Sequence, residues 1–157
     1  SGNSGWMLRS SGNVIQFYIN DGNWTGCQTS SLELNRWYHV AATYQKGGGI
    51  TLYLDGKKVG SSSCGTLQVT PNADLQAGTA PSYSDRYMRG YIQDLSLWKD
   101  VRTAEEVAAD INCDFSGTED GLNAYWPLNL NLGTSITDKT GNHTVNLVDV
   151  VWENPEE

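Results

Sequence analysis

RWYHVAATYQKGGGITLYLDGKKVG, residues 36–60, is the stretch whose reading decides the fold. It reads as three strands joined by two turns. In RWYHVAATYQ (36–45) side chains alternate, placing Trp37, His39 and Ala41 on one face and Tyr38, Val40 and Ala42 on the other. Both faces are largely uncharged, which predicts a central strand. A glycine loop, KGGG, leads into ITLYLDG (50–56), where Leu52 and Leu54 point to a core. Asp55-Gly56 turns the chain and sets the register of the next strand, KKVGSSS.

The same pattern continues outward. GWMLRS (5–10), NVIQFYIN (13–20) and WTGCQTS (24–30) read as strands, the last two joined by the turn Asn20-Asp21-Gly22-Asn23, where Asp-Gly is expected to supply the positive φ angles of a tight hairpin. Downstream, TLQVT and ADLQAG are short strand candidates. A loop, TAPSYSD (79–85), precedes RYMRGYIQDLSLWKD (86–100), with Leu95 and Leu97 as an inward pair and Trp98 bracing the following loop. Thr103 to Asn112 is the one convincing helix. Thr103 caps it, Glu106 completes a capping box, and Val107 and Ile111 form an apolar stripe. LNAYWPLNLN and HTVNLVDVVW close the chain, with Trp126 as a core plug. Many short antiparallel strands with one surface helix predict an all-β, two-sheet sandwich. A sandwich of this kind has a leading strand or two ahead of WMLRS. Their lack predicts either a free sheet edge or strands lying upstream in a longer polypeptide, and the second is favoured because a long free edge is a pairing hazard.

A chain of 157 residues is the size of one ordinary domain. The net charge of −8 argues against nucleic acid, which needs clustered Lys and Arg. The ten basic residues are scattered, so an anionic membrane surface is disfavoured too. No apolar run approaches the ~20 residues of a membrane span, so no membrane insertion is expected. Cys27, Cys64 and Cys113 match no zinc spacing. They read either as buried thiols or, for Cys27 and Cys64, as a bridge implying an oxidising compartment. Asn23-Trp24-Thr25 and Asn142-His143-Thr144 match the N-glycosylation pattern, which matters only in a eukaryotic secretory pathway.

The stretch 36–60 resembles the central signature of laminin-G-like, concanavalin A-like jelly-roll domains. RGYIQDLSLWKDVRTAEEVAADI resembles their later strand and short helix. GLNAYWPLNLNLGTSITDKTGNHTVNLVDVVW is similar to the closing segment of bacterial surface and secreted versions. The resemblance implies a concanavalin A-like jelly roll spanning 1–157 as a single domain, cut from a larger protein and lacking N-terminal strands. Sandwiches of this type host lectins, adhesion modules and hydrolases alike.

Catalysis finds no support in the residues. Hydrolases of this fold resemble one another in a Glu-x-Asp-x-x-Glu strand that pairs two carboxylates. That spacing does not occur here, and Glu105-Glu106 and Glu119-Asp120 are adjacent pairs that do not face each other. His39 reads as a structural imidazole, His143 as an exposed turn residue, and Ser61, Ser62 and Ser63 lack a nucleophile elbow. No cofactor is required. A structural calcium ion is left open: the related pentraxins use an acidic loop that here reads AGTAPSYSDRYMR, with Asp85 its sole acid, and Asp94 is explained as well by a hydrogen bond.

A binding surface remains. Sugars are gripped by aromatic faces, helped by hydrogen-bonding Asn, Asp and Arg. Trp24, beside Asp21 and Asn23 in the hairpin, is the leading candidate, and Tyr83, Arg86 and Tyr87 form a second aromatic–arginine patch. Each has a structural alternative: cross-strand packing for Trp24, and an ordered covering loop for the second patch. Trp6 serves as a third candidate or anchors the first strand. The expected function is a non-catalytic glycan- or polysaccharide-binding module of a secreted or cell-surface protein, covalently linked to an upstream domain. The alternative is a protein-interaction, adhesion or spacer domain.

Overall fold

The computed structural model describes residues 4–71, 73–79, 85–129 and 133–153. The chain divides into two compact units, Ser1–Met88 with Val101–Ile111, and Arg89–Asp100 with Asn112–Glu157. Its elements are antiparallel strands and one short helix, the make-up of a concanavalin A-like sandwich.

The first unit opens with strands β1 (Trp6–Ser11), β2 (Val14–Asn20) and β3 (Trp24–Gln28), which form one antiparallel sheet in that order. Strands β4 (Val40–Gln45), β5 (Gly49–Leu54) and β6 (Lys57–Ser62) form a second. The pleat sends Phe17 and Ile19 of β2 against Ile50 and Leu52 of β5, and these four are almost wholly buried. Ile15, Cys27, Val40, Ala42 and Tyr44 close around them. Burying side chains of this size stabilises by about 1.5–3 kcal/mol each, so this face-to-face contact holds the unit.

The turn between β5 and β6 is the predicted hairpin: Asp55 and Gly56 have φ of 48° and 74°. A Cβ on Gly56 would press on Ala108 at 3.1 Å, so glycine also permits a helix to approach. That helix, α1 (Ala104–Ala109), carries the predicted capping box: Glu106 N donates to Thr103 Oγ1 at 3.2 Å, and Thr103 N donates to Glu106 Oε2 at 2.8 Å. It is shorter than 103–112, because Asp110 caps it and accepts a two-pronged contact from Arg102 at 2.8 and 3.1 Å.

Two expectations are corrected. The segment 36–39 is not strand, and β4 lies at one end of its three-stranded order with β5 at the centre. Residue 39 is instead pinned to the turn: His39 N donates to Asp55 Oδ1 at 3.0 Å, Asp55 N donates to the His39 carbonyl at 2.8 Å, and Arg36 pairs with Asp55 at 3.0 Å. TLQVT and ADLQAG form no strands; Gln68 N donates to the Asn20 carbonyl and its own carbonyl accepts from Gly5 N, two bonds rather than a ladder. Of the two readings of Cys27 and Cys64, the unbridged one holds: both are free, half-buried thiols packed against the same core cluster.

The second unit contains β7 (Leu95–Trp98), paired antiparallel with β8 (Leu122–Trp126), and β9 (Ser135–Thr137), paired with β10 (Thr144–Asn146). Ala124, Trp126 and Ile136 form its core with Leu95, Leu97, Val145 and Leu147 packed on them, as the alternation in LSLW and LNAYW dictates. Tyr125 points the other way. It meets Phe115 edge-on at 5.1 Å, and Phe115 meets Trp98 at 5.3 Å. Among the described residues no helix is long and apolar enough to cross a membrane.

Candidate functional site

The pleat of the β1–β2–β3 sheet has a second consequence. With Phe17 and Ile19 inward, the opposite face presents Met7, Arg9, Gln16, Tyr18, Trp24, Gly26 and Gln28. Tyr18 pairs with Gly26, and a Cβ built on Gly26 would come within 2.2 Å of the Tyr18 ring. The ring therefore lies down across β3 in the space a side chain would have taken. Over that ring stands the Arg9 guanidinium, 5.3 Å from its centroid. Arg9 Nε donates to Gln16 Oε1 at 2.9 Å, and Gln16 Nε2 donates to Gln28 Oε1 at 2.8 Å, a polar chain crossing all three strands. Trp24 opens β3 opposite Asn20, on the same face as Tyr18 and diagonal to it, and is 36% exposed.

The hairpin beside Trp24 is held by hydrogen bonds within the turn and to the segment after β6. Of the expected Asp21-Gly22 pair only Gly22 takes a positive φ, 113°; Asp21 N donates to the Asn23 carbonyl at 3.0 Å, and buried Asn20 accepts from Gly22 N through Oδ1 at 3.1 Å. The Asp21 carboxylate accepts from Gly65 N at 2.6 Å and from the Thr25 hydroxyl at 3.2 Å. The Gly65 N–H holds its carboxyl below the ordinary range. Asp21 therefore ties the hairpin to the segment after β6, while Asn23 and Trp24 are left exposed at the tip.

The second predicted patch is only partly described. Tyr83 lies outside the described residues; Arg86 and Tyr87 are exposed, and Tyr87 forms an isolated bridge with Thr79. No ring contact or hydrogen bond among the described residues joins Tyr87 to Trp24. Trp6 is 45% exposed yet lies on the inward-facing side of β1, tilted against Phe17 with centroids 6.5 Å apart. Sequence reasoning missed Arg9, Gln16, Tyr18 and Gln28. The signal was present as the period-two partner of the inward set in NVIQFYIN, but its use required knowing which residue each one faces.

In the second unit, Gln93, Asp94, Asn112, Cys113, Asp114, Tyr125 and Asn129 line a shallow cavity of about 220 Å³. The Tyr125 hydroxyl donates to Asp94 Oδ1 at 2.7 Å, and burial together with that carboxylate pushes the phenol well above its usual range. Lys139 Nζ contacts Asp114 at 2.5 Å. Calcium gathers six to eight oxygens, whereas this cavity offers two carboxylates that already have partners. Among the described residues no three or more His, Cys, Asp or Glu converge as a metal site. Among the described residues this cavity offers no ready set of calcium ligands, and most of the loop before Asp85 lies outside them.

Other acids are committed to the fold. The buried Asp138 carboxylate accepts from Thr140 N, the Thr140 hydroxyl, Asn142 N and His143 N at 2.9, 2.6, 3.1 and 2.8 Å. Burial alone would raise its pKa, but these donors outweigh it and hold the carboxyl low. Glu119 accepts from Ser116 N at 2.7 Å and Gly117 N at 3.0 Å; the Ser116 N–H leads in drawing its pKa down to about 2. His39 is half-buried with an unpartnered Nδ1, and burial lowers its pKa against the opposing pull of Asp110 and Asp55.

Comparison with known proteins bears on the fold. A crystal structure from Bacteroides ovatus, of a protein whose name proposes carbohydrate binding, superposes with a TM-score of 0.66 at 23% identity, covering 94% of this chain. The present chain spans 50% of that one. An S-layer domain-containing protein from Clostridium thermocellum matches with a TM-score of 0.46 at 23% identity, covering 69% of this chain and 57% of its own. No curated protein matches. A family model matches residues 1–108, and by that match the chain belongs to the concanavalin A-like lectin/glucanases superfamily, in its laminin G branch.

Proposed function

We propose that the chain is a non-catalytic carbohydrate-binding module of a secreted or cell-surface protein, joined covalently to a further domain. The observation carrying this reading is Trp24, an indole outside the core on the solvent face of a rigid three-stranded sheet, beside exposed Asn23. An indole held this way offers the flat apolar face on which sugar C–H groups stack, at little ordering cost. Membership in a superfamily of lectins and glucanases supports it, as does the name of the Bacteroides ovatus structure.

The acids argue for binding rather than turnover. Glu106, Glu119 and Asp138 are bound to backbone donors, and Asp55 and Asp110 to arginines. A glycosidase needs one carboxyl free to protonate and another free to attack or to activate water.

A glycan array probed with the native chain and Trp24→Ala tests this. Signals that fall by about tenfold or more in the variant support it, since one stacked aromatic contributes about 0.5–1.5 kcal/mol beyond the area it buries. A blank array together with concentration-dependent self-association would favour a protein-interaction or adhesion module instead.

A further inference from the structure

The β1–β2–β3 face carries a cation with an unusual environment. Arg36 pairs with Asp55, Arg102 with Asp110, and Lys139 with Asp114. Arg9 pairs with no described carboxylate, although the chain carries a net charge of −8. It is nevertheless held in place by neutral groups. The Tyr18 ring lies beneath it, made flat by Gly26, and Gln16 takes its Nε while being itself tied to Gln28. The two terminal guanidinium nitrogens make no hydrogen bond to a described residue. A guanidinium ordered in this way has a planar donor edge ready for a planar acceptor pair, which is the geometry of a carboxylate.

Resting on the carbohydrate reading above, we infer that this face selects acidic oligosaccharides, with Arg9 taking a uronate carboxylate while Trp24 stacks a neighbouring sugar ring. The two residues stand at opposite corners of the face, with Tyr18 between them. Arg9 lies level with Gln16 and Trp24 level with Asn20, four residues along β2, or about 13 Å. A ligand engaging both is longer than one ring. Gln16 and Tyr18 are positioning residues: they touch Arg9 and set its angle.

The test compares galacturonate and mannuronate hexamers with their methyl esters, which keep the sugar and linkage and cancel the charge. Binding to the native chain and to Arg9→Gln, Tyr18→Leu and Trp24→Ala is measured calorimetrically. At least one acid hexamer should bind about tenfold or more tighter than its ester, as a charge-assisted contact requires. Arg9→Gln should bring acid and ester to equal affinity. Tyr18→Leu should shrink the preference with Arg9 still present, and Trp24→Ala should weaken acid and ester together. Equal affinity for acid and ester, a preference that survives Arg9→Gln, or no binding of either acid hexamer would each overturn the inference. A positive glycan array lost in Trp24→Ala would leave the broader carbohydrate reading standing in any of those cases.

Discussion

Two turns rich in Asn, Asp and Gly treat their polar groups in opposite ways. At Asp138–His143 one buried carboxylate gathers three backbone N–H groups and a hydroxyl of its own turn and a fourth N–H from Tyr125, so its polar capacity is spent within the fold. At Asn20–Asn23, Asp21 and Asn20 secure the hairpin, but the neighbouring Trp24 and the Arg9–Gln16–Gln28 row remain turned to solvent. Composition does not separate these regions. What separates them is whether the side chains left over after the turn is built have internal partners. A surface already saturated has little to offer a ligand, whereas aromatic and guanidinium groups held rigid but unspent have much.

The comparison breaks first at Asp138. Asp138→Ala should destabilise the protein by about 3 kcal/mol, since it strands several donors around a buried site. Chemical denaturation reads that loss, and glycan binding by the folded fraction should be unchanged. Trp24→Ala should do the reverse, changing stability by less than about 1 kcal/mol, because the residue is partly exposed, while lowering affinity by about tenfold or more. An equal stability loss in the two variants would erase the distinction. Thr103→Ala, which removes the cap of α1, should cost about 1 kcal/mol by the same denaturation assay, again without touching binding.

The smallest expected effect is in acid. Glu119 is held low in the folded state, down to about 2 from an ordinary 4.5. Its stabilising contribution is therefore complete above about pH 4.5 and is lost as pH falls toward 2. Glu119→Gln should flatten the stability profile between those values, measured as the denaturation midpoint against pH. An unchanged slope would mean that the Ser116 and Gly117 contacts contribute nothing in solution.

Much of the fold was legible because it is written in local rules. The Asp55-Gly56 hairpin and the Thr103–Glu106 box are short-range devices with few alternatives. The place of β4 at one end of its sheet was not legible, because uncharged faces do not say how many neighbours a strand has. The segment 36–39 was misread for a similar reason: its alternation is strand-like, but a long-range contact with Asp55 claims His39. At the candidate site, Trp24 stood out because an aromatic just past a turn is visible in one line of text. Tyr18, Arg9, Gln16 and Gln28 did not, since their meaning depends on cross-strand register and on a glycine being opposite a tyrosine. The role of Asp21 as a tie to Gly65, forty-four residues away, was equally out of reach.

The central claim is that the solvent face of the β1–β2–β3 sheet is where a glycan lands. The most direct measurement is an NMR titration of the isotope-labelled chain with the strongest ligand returned by the array, following the Trp24 indole N–H, the Arg9 Nε–H and the Gln16 and Gln28 amides. The account predicts that these signals move together and saturate at one affinity. Perturbations confined to Tyr87, or to the cavity around Asp94 and Asn129, with the sheet face unmoved, would contradict it.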